Sequence, residues 1–262
     1  MTTIKPVRNP SIKSDGLSKE LSWLIDEKYG GRRCLRAFGD TLRLLFGVPL
    51  DYVMGKKDFL GFPIDLSERP LIPRNETEFW VERAISLIPT DREKPVRCLD
   101  LFSGSGCIGV ALLKLIPNSH VTFADNDKKC IRQIEKNLAL NNIPSHRYAV
   151  TRSDVWKNIS GTFDCIFANP PYIPKTHRSG VAQDVLRFEP HGALFGGTDG
   201  LCYIKNFLAG TIARIHSGGI LFFEFDERKK DAISELLDEV PSRKYELWKD
   251  QFGAWRTAVI HF

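Results

Sequence analysis

From Lys94 to the C-terminus, apolar runs of strand length alternate with longer runs of helical spacing: VRCLDLF, CIGVALLKLI, HVTFADN, KKCIRQIEKNLALN, HRYAVT, FDCIFAN, LCYIKNFLAGTIARI, GILFFEFD, RKKDAISELLDEV, KYELWKD and WRTAVIHF. Apolar strands alternating with amphipathic helices specify a parallel sheet covered on both faces, an α/β fold. The last two strands have no helix between them, which predicts an antiparallel hairpin at the sheet edge. The chain has no internal repeat and no low-complexity tract.

Upstream the pattern is different. LSKELSWLIDEKY and CLRAFGDTLRLLFG place apolar residues at helical spacing and predict a small helical module within residues 1–50. DYVMGKKDFLGFPIDL, with runs around Gly55-Lys56-Lys57 and Gly61, predicts a β-hairpin linker over 51–72. IPRNETEFWVERAISLI opens a helix after Pro73 and begins the main unit, 73–262, with Asn75 as N-cap and Glu78 three residues on, an Asn-headed capping box.

At 262 residues the chain is long enough for one large domain with a smaller appendage. A formal charge of +5 and a pI near 8.8 favour an acidic or nucleic-acid partner only mildly, because the basic and acidic residues are interspersed. Six cysteines lie far apart, with no C-x-x-C pair and no clustering with histidine, so the sequence supports neither a disulfide framework nor a metal site. No apolar run approaches the roughly 20 residues that span a bilayer, so no membrane association is expected. The N-terminus, MTTIKPVRNPSIKS, carries Lys5, Arg8 and Lys13 before its first acid, Asp15. That is the charge bias of an organelle transit peptide, although Pro6 and Pro10 break the amphipathic helix such a signal needs; a plain disordered arm, on a protein of the cytoplasm, is the alternative.

Two stretches carry candidate chemistry. In DLFSGSGCIG, Gly104-x-Gly106-x-x-Gly109 follows the first strand, and Asp125 closes the second. This satisfies the nucleotide fingerprint of a tight turn, close backbone approach and a carboxylate for ribose hydroxyls. A glycine turn also forms for packing reasons alone. Asp100, four residues before Gly104, would repel a pyrophosphate but pair with an ammonium, so a nucleoside bearing an amino-acid zwitterion suits the site better than a dinucleotide. Asp154, with the backbone N–H of Val155 beside it, is placed to meet an exocyclic amine such as that of adenine. The second stretch is FANPPYI, Phe167 to Ile173, where a strand breaks off into an amide, two prolines and a ring. Proline lacks an N–H and has a fixed φ, so the pair ends the ladder and stiffens the next residues into a ledge. Asn before proline is also a common turn former.

The order Asp100, Gly104-Ser105-Gly106, Asp125, Asp154 and Asn169-Pro170-Pro171-Tyr172 resembles the class I S-adenosylmethionine methyltransferases that modify a planar nitrogen. With LIPRNETE upstream and FEPHGALFGGTDGL downstream, it resembles the HemK/PrmC family of glutamine methyltransferases acting on peptide-release factors, over nearly all of residues 48–262. The resemblance implies a Rossmann-like seven-stranded sheet with the last strand antiparallel, and S-adenosyl-L-methionine as cofactor. Its cofactor residues would be Asp100, Phe102, Ser103, Gly104, Ser105, Gly106, Asp125, Asp154, Val155 and Asn169. The substrate would be held at Asn169, Pro170, Pro171 and Tyr172: the Asn169 side chain and the Pro170 carbonyl each accepting one N–H of the glutamine amide, and the Tyr172 ring walling the planar group. The implied partner is a class 1 release factor, methylated at the glutamine of its Gly-Gly-Gln tripeptide. No metal, no direct nucleic-acid partner and a monomer are expected. The segment DLFSGSGCIG resembles a eukaryotic, fungal branch, whose members with IPR-x-ETE are expected in mitochondria.

Arg74, Glu76 and Thr77 match the family's upstream segment, which the resemblance places at the lip of the pocket near Tyr172; helix capping also accounts for that stretch. The chain departs from the family at Phe102, where glycine is usual, and at Glu224-Phe225-Asp226, where a glycine tends to follow the acid. If Phe102 needs a positive φ it is strained. Three other readings compete: a nucleic-acid methyltransferase acting on an adenine or guanine amine, a catalytically silent cofactor-binding subunit, and a nicotinamide oxidoreductase. The first normally needs a recognition domain to hold a flipped base, and about ninety residues without a basic stripe precede the sheet.

Overall fold

The computed structural model describes residues 14–88, 93–242 and 244–262; the basic N-terminal stretch through Lys13 lies outside the described residues. Helix α1 (Ser14–Trp23) continues through a wider turn at Leu24–Lys28, and α2 (Leu35–Leu45) follows. Asp40 ties this region together. Its carboxylate accepts from Lys28 Nζ (2.6 Å), the Tyr29 hydroxyl (2.6 Å) and Arg43 Nη1 (2.8 Å).

The expected hairpin begins later than the sequence pattern indicates. Leu50–Met54 forms a helical turn, α3, closed by Gly55 at φ +81°. Only then do β1 (Lys56–Phe59) and β2 (Phe62–Asp65) pair antiparallel around Leu60 and Gly61. Both turn residues have positive φ, 50° and 80°, which gives the two-residue turn its twist. The capping box is not formed. Helix α4 (Asn75–Ile85) has Arg74 at its N-cap with no side-chain cap, and the Glu78 side chain instead accepts from the Leu60 N–H at 2.6 Å. The hairpin tip competes successfully for that carboxylate.

The main unit has the alternation read from the sequence: β3 (Val96–Leu101), α5 (Cys107–Leu115), β4 (Ser119–Asp125), α6 (Lys128–Leu140), β5 (Tyr148–Arg152) and β6 (Phe163–Ala168). A short helix that the sequence pattern does not predict, α7 (Gln183–Phe188), precedes α8 (Cys202–Thr211), β7 (Ile215–Glu224), α9 (Lys230–Asp238), β8 (Lys244–Lys249) and β9 (Trp255–His261). These seven strands form one sheet in the order β5-β4-β3-β6-β7-β9-β8, in which β9 alone runs antiparallel. The chain leaves β3 toward β4 and β5, then returns to β6 on the other side. That reversal opens a crevice at the carboxyl ends of β3 and β6, where ligands bind in open α/β sheets.

The sheet is buried on both faces, which explains the unbroken apolar runs of its strands. Cys98, Phe123, Phe167 and Phe222 share one core with α5 and with Leu24, Leu44 and Val53 of the N-terminal helices. Leu99, Ile166, Phe223 and Ile260 face the other, under α8 and α9. On the first face a row of rings crosses the sheet: Trp80–Phe167 (centroids 6.0 Å apart), Phe167–Phe222 (4.9 Å) and Phe222–Trp248 (6.0 Å). Each such pair contributes about 0.5–1.5 kcal/mol beyond burial, and the row fixes α4 against the ends of β6 and β7.

Candidate active site

A cleft of about 160 Å³ lies over the carboxyl ends of β3, β4 and β6. Of the residues expected to bind cofactor, Phe102, Ser103, Gly104, Ser105, Asp125, Val155 and Asn169 line it directly. Gly106 stands behind the turn at φ +78°, beginning α5 and donating its N–H to Ser103 O at 2.7 Å. Asp154 is exposed and opens onto an adjoining recess with Arg152, Lys157 and Asn158; its neighbours Ser153 and Val155 are the residues that face the cleft. Asn126 lines both spaces and has no signal in the sequence pattern.

The two acids of the nucleotide end differ in setting. Asp125 Oδ2 accepts from Gly104 N–H and Oδ1 from Asp127 N–H, both at 2.9 Å, so the glycine turn and the carboxylate hold each other. Burial raises its pKa. Asp100 is wholly buried; its Oδ2 accepts from Gly109 N–H at 3.0 Å, while Oδ1 has no hydrogen-bond partner among the described residues. Burial pushes its carboxyl up to about 8, the Gly109 N–H opposing and Asp125 adding to the shift. An orphaned buried acceptor beside a glycine turn fits the ammonium of an amino-acid-bearing nucleoside.

Phe102 does adopt the left-handed conformation, φ +61°. Its ring packs edge-on against Tyr203 at 5.7 Å and Phe207 at 6.1 Å, both on α8. Val155 is a second residue with positive φ at the cleft, 48°. Such strain persists only where surrounding packing holds it, and it gathers at ligand sites.

The ledge sits where the sequence places it, immediately after β6. Asn169 and Pro171 line the cleft, and Pro170 is buried behind them. A strap from the GGTDG segment locks the ledge: Ile173 donates its N–H to Leu194 O (2.9 Å), Gly196 to Ile173 O (2.9 Å) and Lys175 to Gly197 O (2.9 Å). A Cβ on Gly196 would lie 2.3 Å from Pro171 O, and one on Gly200 2.3 Å from Tyr172 O, so only glycine allows this approach.

Behind the ledge lies a residue that the sequence marks only as part of a departure from the family. Glu224, 2% exposed at the end of β7, accepts at Oε2 from Thr77 Oγ1 (2.6 Å), Trp80 Nε1 (2.9 Å) and Asn169 Nδ2 (3.2 Å), and at Oε1 from the Tyr172 hydroxyl (2.7 Å). Asn169 Nδ2 also donates to Thr77 Oγ1 at 3.2 Å. Burial and Glu224 push the Tyr172 phenol well above its ordinary pKa, so it stays a donor. The LIPRNETE and FEPHGAL segments meet here as well: Arg74 Nη2 pairs with the buried Glu189 Oε1 at 2.6 Å, and Ile72 N–H donates to Oε2 at 3.2 Å.

A doubly wound sheet with one antiparallel strand, a glycine turn and two acids at its switch point, and an Asn-Pro-Pro-Tyr ledge define a class I S-adenosylmethionine-dependent methyltransferase. A family described as Methyltransferase small domain matches residues 85–192. The release factor glutamine methyltransferase of Streptococcus pneumoniae is 34% identical over 214 residues, covering 81% of this chain and 74% of that one. That of Flavobacterium psychrophilum is 32% identical over 222 residues, covering 82% and 75%. This chain belongs to the release factor glutamine methyltransferase family. Solved structures share its fold: the hMettl16 catalytic domain in complex with an RNA hairpin (TM-score 0.60, 16% identity, 98% of this chain and 97% of that one) and the T. thermophilus 16S rRNA N2 G1207 methyltransferase with AdoMet and guanosine (TM-score 0.55, 17% identity, 79% and 49%). The cofactor is S-adenosyl-L-methionine.

Proposed function

We propose that this enzyme methylates the side-chain amide nitrogen of the glutamine in the Gly-Gly-Gln tripeptide of a class 1 peptide chain release factor, in support of translation termination. The observation that carries this reading is the Asn169 amide. Its Nδ2 faces inward and donates to Glu224 Oε2 and Thr77 Oγ1, two oxygens 2.6 Å apart that share one N–H, while Oδ1 accepts nothing among the described residues, on a residue that lines the cleft.

An amide nitrogen gives its lone pair to the carbonyl beside it and is a poor nucleophile. Oδ1 of Asn169 and the Pro170 carbonyl would each accept one of its N–H bonds and turn the lone pair toward the cofactor side of the cleft. Those acceptors gain strength as positive charge develops on nitrogen, which is selective stabilisation of the transition state. Asp100 would hold the cofactor's ammonium and Asp125 its ribose hydroxyls. The bound cofactor supplies an electrophilic methyl group on a sulfonium. The strap through Gly196 and Gly200 keeps the two acceptors fixed, and the methylated nitrogen is acidic enough to release its proton without a dedicated base.

The N-terminal helices support the protein-substrate reading. Leu35, Phe38, Leu42 and Leu45 form an exposed stripe along α2, and Trp23 at the end of α1 and Phe46 just after α2 are exposed as well. Exposed apolar surface of this kind marks protein docking, and we assign it to the body of the release factor. We also place the enzyme in mitochondria, with the fungal branch of the family, a reading supported by Lys5, Arg8 and Lys13 ahead of the first acid.

The deciding experiment measures methyl transfer from labelled S-adenosylmethionine to a purified mitochondrial-type release factor, beside its Gly-Gly-Ala variant and beside bulk RNA and DNA. Label on the wild-type factor alone is expected. Label on nucleic acid instead would move the enzyme to the base-modifying class.

A further inference from the structure

We infer that Glu224 is the positioning residue of this active site: it sets which way the Asn169 amide faces, and so aims Oδ1 at the substrate nitrogen. The inference rests on the proposed role of Asn169 as the group that holds the substrate amide.

An asparagine amide is nearly symmetric in shape, so packing alone does not tell its oxygen from its nitrogen. Hydrogen-bond chemistry does. A carboxylate only accepts, and Glu224 Oε2 stands 3.2 Å from the inner atom of the Asn169 amide. Turned the other way, the amide would set its oxygen against that carboxylate oxygen in a dry site, an uncompensated repulsion. Thr77 reinforces the choice. Its hydroxyl hydrogen is committed to Glu224 at 2.6 Å, which leaves only lone pairs to meet Asn169, and these again demand Nδ2.

No ion pair to Glu224 is found among the described residues; four donors from α4, the ledge and Tyr172 satisfy it instead. Burying a charge in this way is costly unless every lone pair is met. Packing by itself would be served by an apolar side chain, whereas orienting an amide requires an acceptor-only group. The negative charge behind Nδ2 also polarises the Asn169 amide and strengthens Oδ1 as an acceptor when the substrate nitrogen turns cationic. Glutamine at 224 has one acceptor oxygen for four donors, and its own NH₂ would face a donor, so it no longer dictates the orientation of Asn169.

The test is a double-mutant cycle on kcat with release factor as substrate: Glu224→Gln, Asn169→Ala and the two combined. Glu224→Gln is expected to leave S-adenosylmethionine affinity and the KM for release factor within roughly twofold to threefold, and to lower kcat on the order of tenfold or more. In the Asn169→Ala background the same change should lower kcat by less than about twofold, because the group it orients is gone. A wild-type kcat for Glu224→Gln, or losses that multiply in the double variant, would overturn the inference. If Glu224→Gln does not yield folded protein, Thr77→Val, near-isosteric and lacking the bridging hydroxyl, decides by the same criteria. Failure of the underlying reading looks different: release factor would take no label from wild-type enzyme, and the cycle would then be run on whichever nucleic acid does.

Discussion

Phe102 stands in the glycine turn at φ +61°, a conformation that costs an L-residue about 1–2 kcal/mol. Its half-buried ring has edge contacts with Tyr203 and Phe207, each contributing about 0.5–1.5 kcal/mol. Cost and gain are of similar size, so a turn that ordinarily wants glycine tolerates phenylalanine here. Two replacements separate the terms. Phe102→Ala removes the ring but leaves Cβ at positive φ, and should destabilise by about 2 kcal/mol, roughly half the loss at a fully buried phenylalanine. Phe102→Gly loses the same packing but relieves the strain. After deducting about 0.4–1 kcal/mol for the freer unfolded chain, it should stand about 0.5–1 kcal/mol above the alanine variant. Urea unfolding measures the gap, and thermal melting should separate the two by about 1–4 °C for a chain of this size. An alanine variant as stable as the glycine variant would refute the claim that the ring's packing offsets backbone strain.

The site itself yields three further expected outcomes. Asp100, raised to about 8 by burial, is mostly protonated at neutral pH before the cofactor binds and must ionise to pair with an ammonium. The cofactor's Kd should therefore fall as pH rises from about 6 toward 8, by up to tenfold per unit, and rise again once the cofactor's own amine deprotonates near 8. Calorimetric titration across that range checks it, and Asp100→Asn should flatten the fall in Kd between about pH 6 and 8; a flat wild-type profile would remove Asp100 as the ammonium's partner. Asn169→Ala should lower kcat about 10²–10³-fold with S-adenosylmethionine binding nearly intact, and unchanged turnover would remove the positioning mechanism. Gly196→Ala sets a Cβ 2.3 Å from Pro171 O, so the ledge must shift; a shift of about 1 Å should lower kcat on the order of 100-fold while the cofactor still binds, and wild-type turnover would show that the strap is dispensable.

The sheet, the glycine turn and the ledge are legible in the sequence because their signals are local. Strand and helix periods, glycines between them and a proline pair are read within a few residues. Where sequence and structure part, tertiary competition is the reason. Nothing near Asn75 reveals that Glu78 will be taken by the N–H of Leu60, eighteen residues upstream, in preference to a cap. Helix α3 is hidden because a three-residue apolar run, Tyr52 to Met54, ahead of glycine suits a strand as well as a single helical turn closed by a left-handed cap.

Glu224 shows most clearly why part of the site escapes a linear reading. Its donors Thr77, Trp80, Asn169 and Tyr172 lie 147, 144, 55 and 52 positions away, so no spacing motif connects them. The topology nevertheless implies the meeting. Strands β6 and β7 are parallel neighbours with Ala168 opposite Phe223, and extending that register by one residue sets Asn169 beside Glu224. An acid ending the apolar run GILFF, on the side of the sheet where ligands bind, has to find donors or bear several kcal/mol of desolvation. The neighbouring strand delivers an amide at that level. Once β6 and β7 are taken as adjacent, the carboxylate, the amide and the direction in which the amide must face can all be deduced from the sequence.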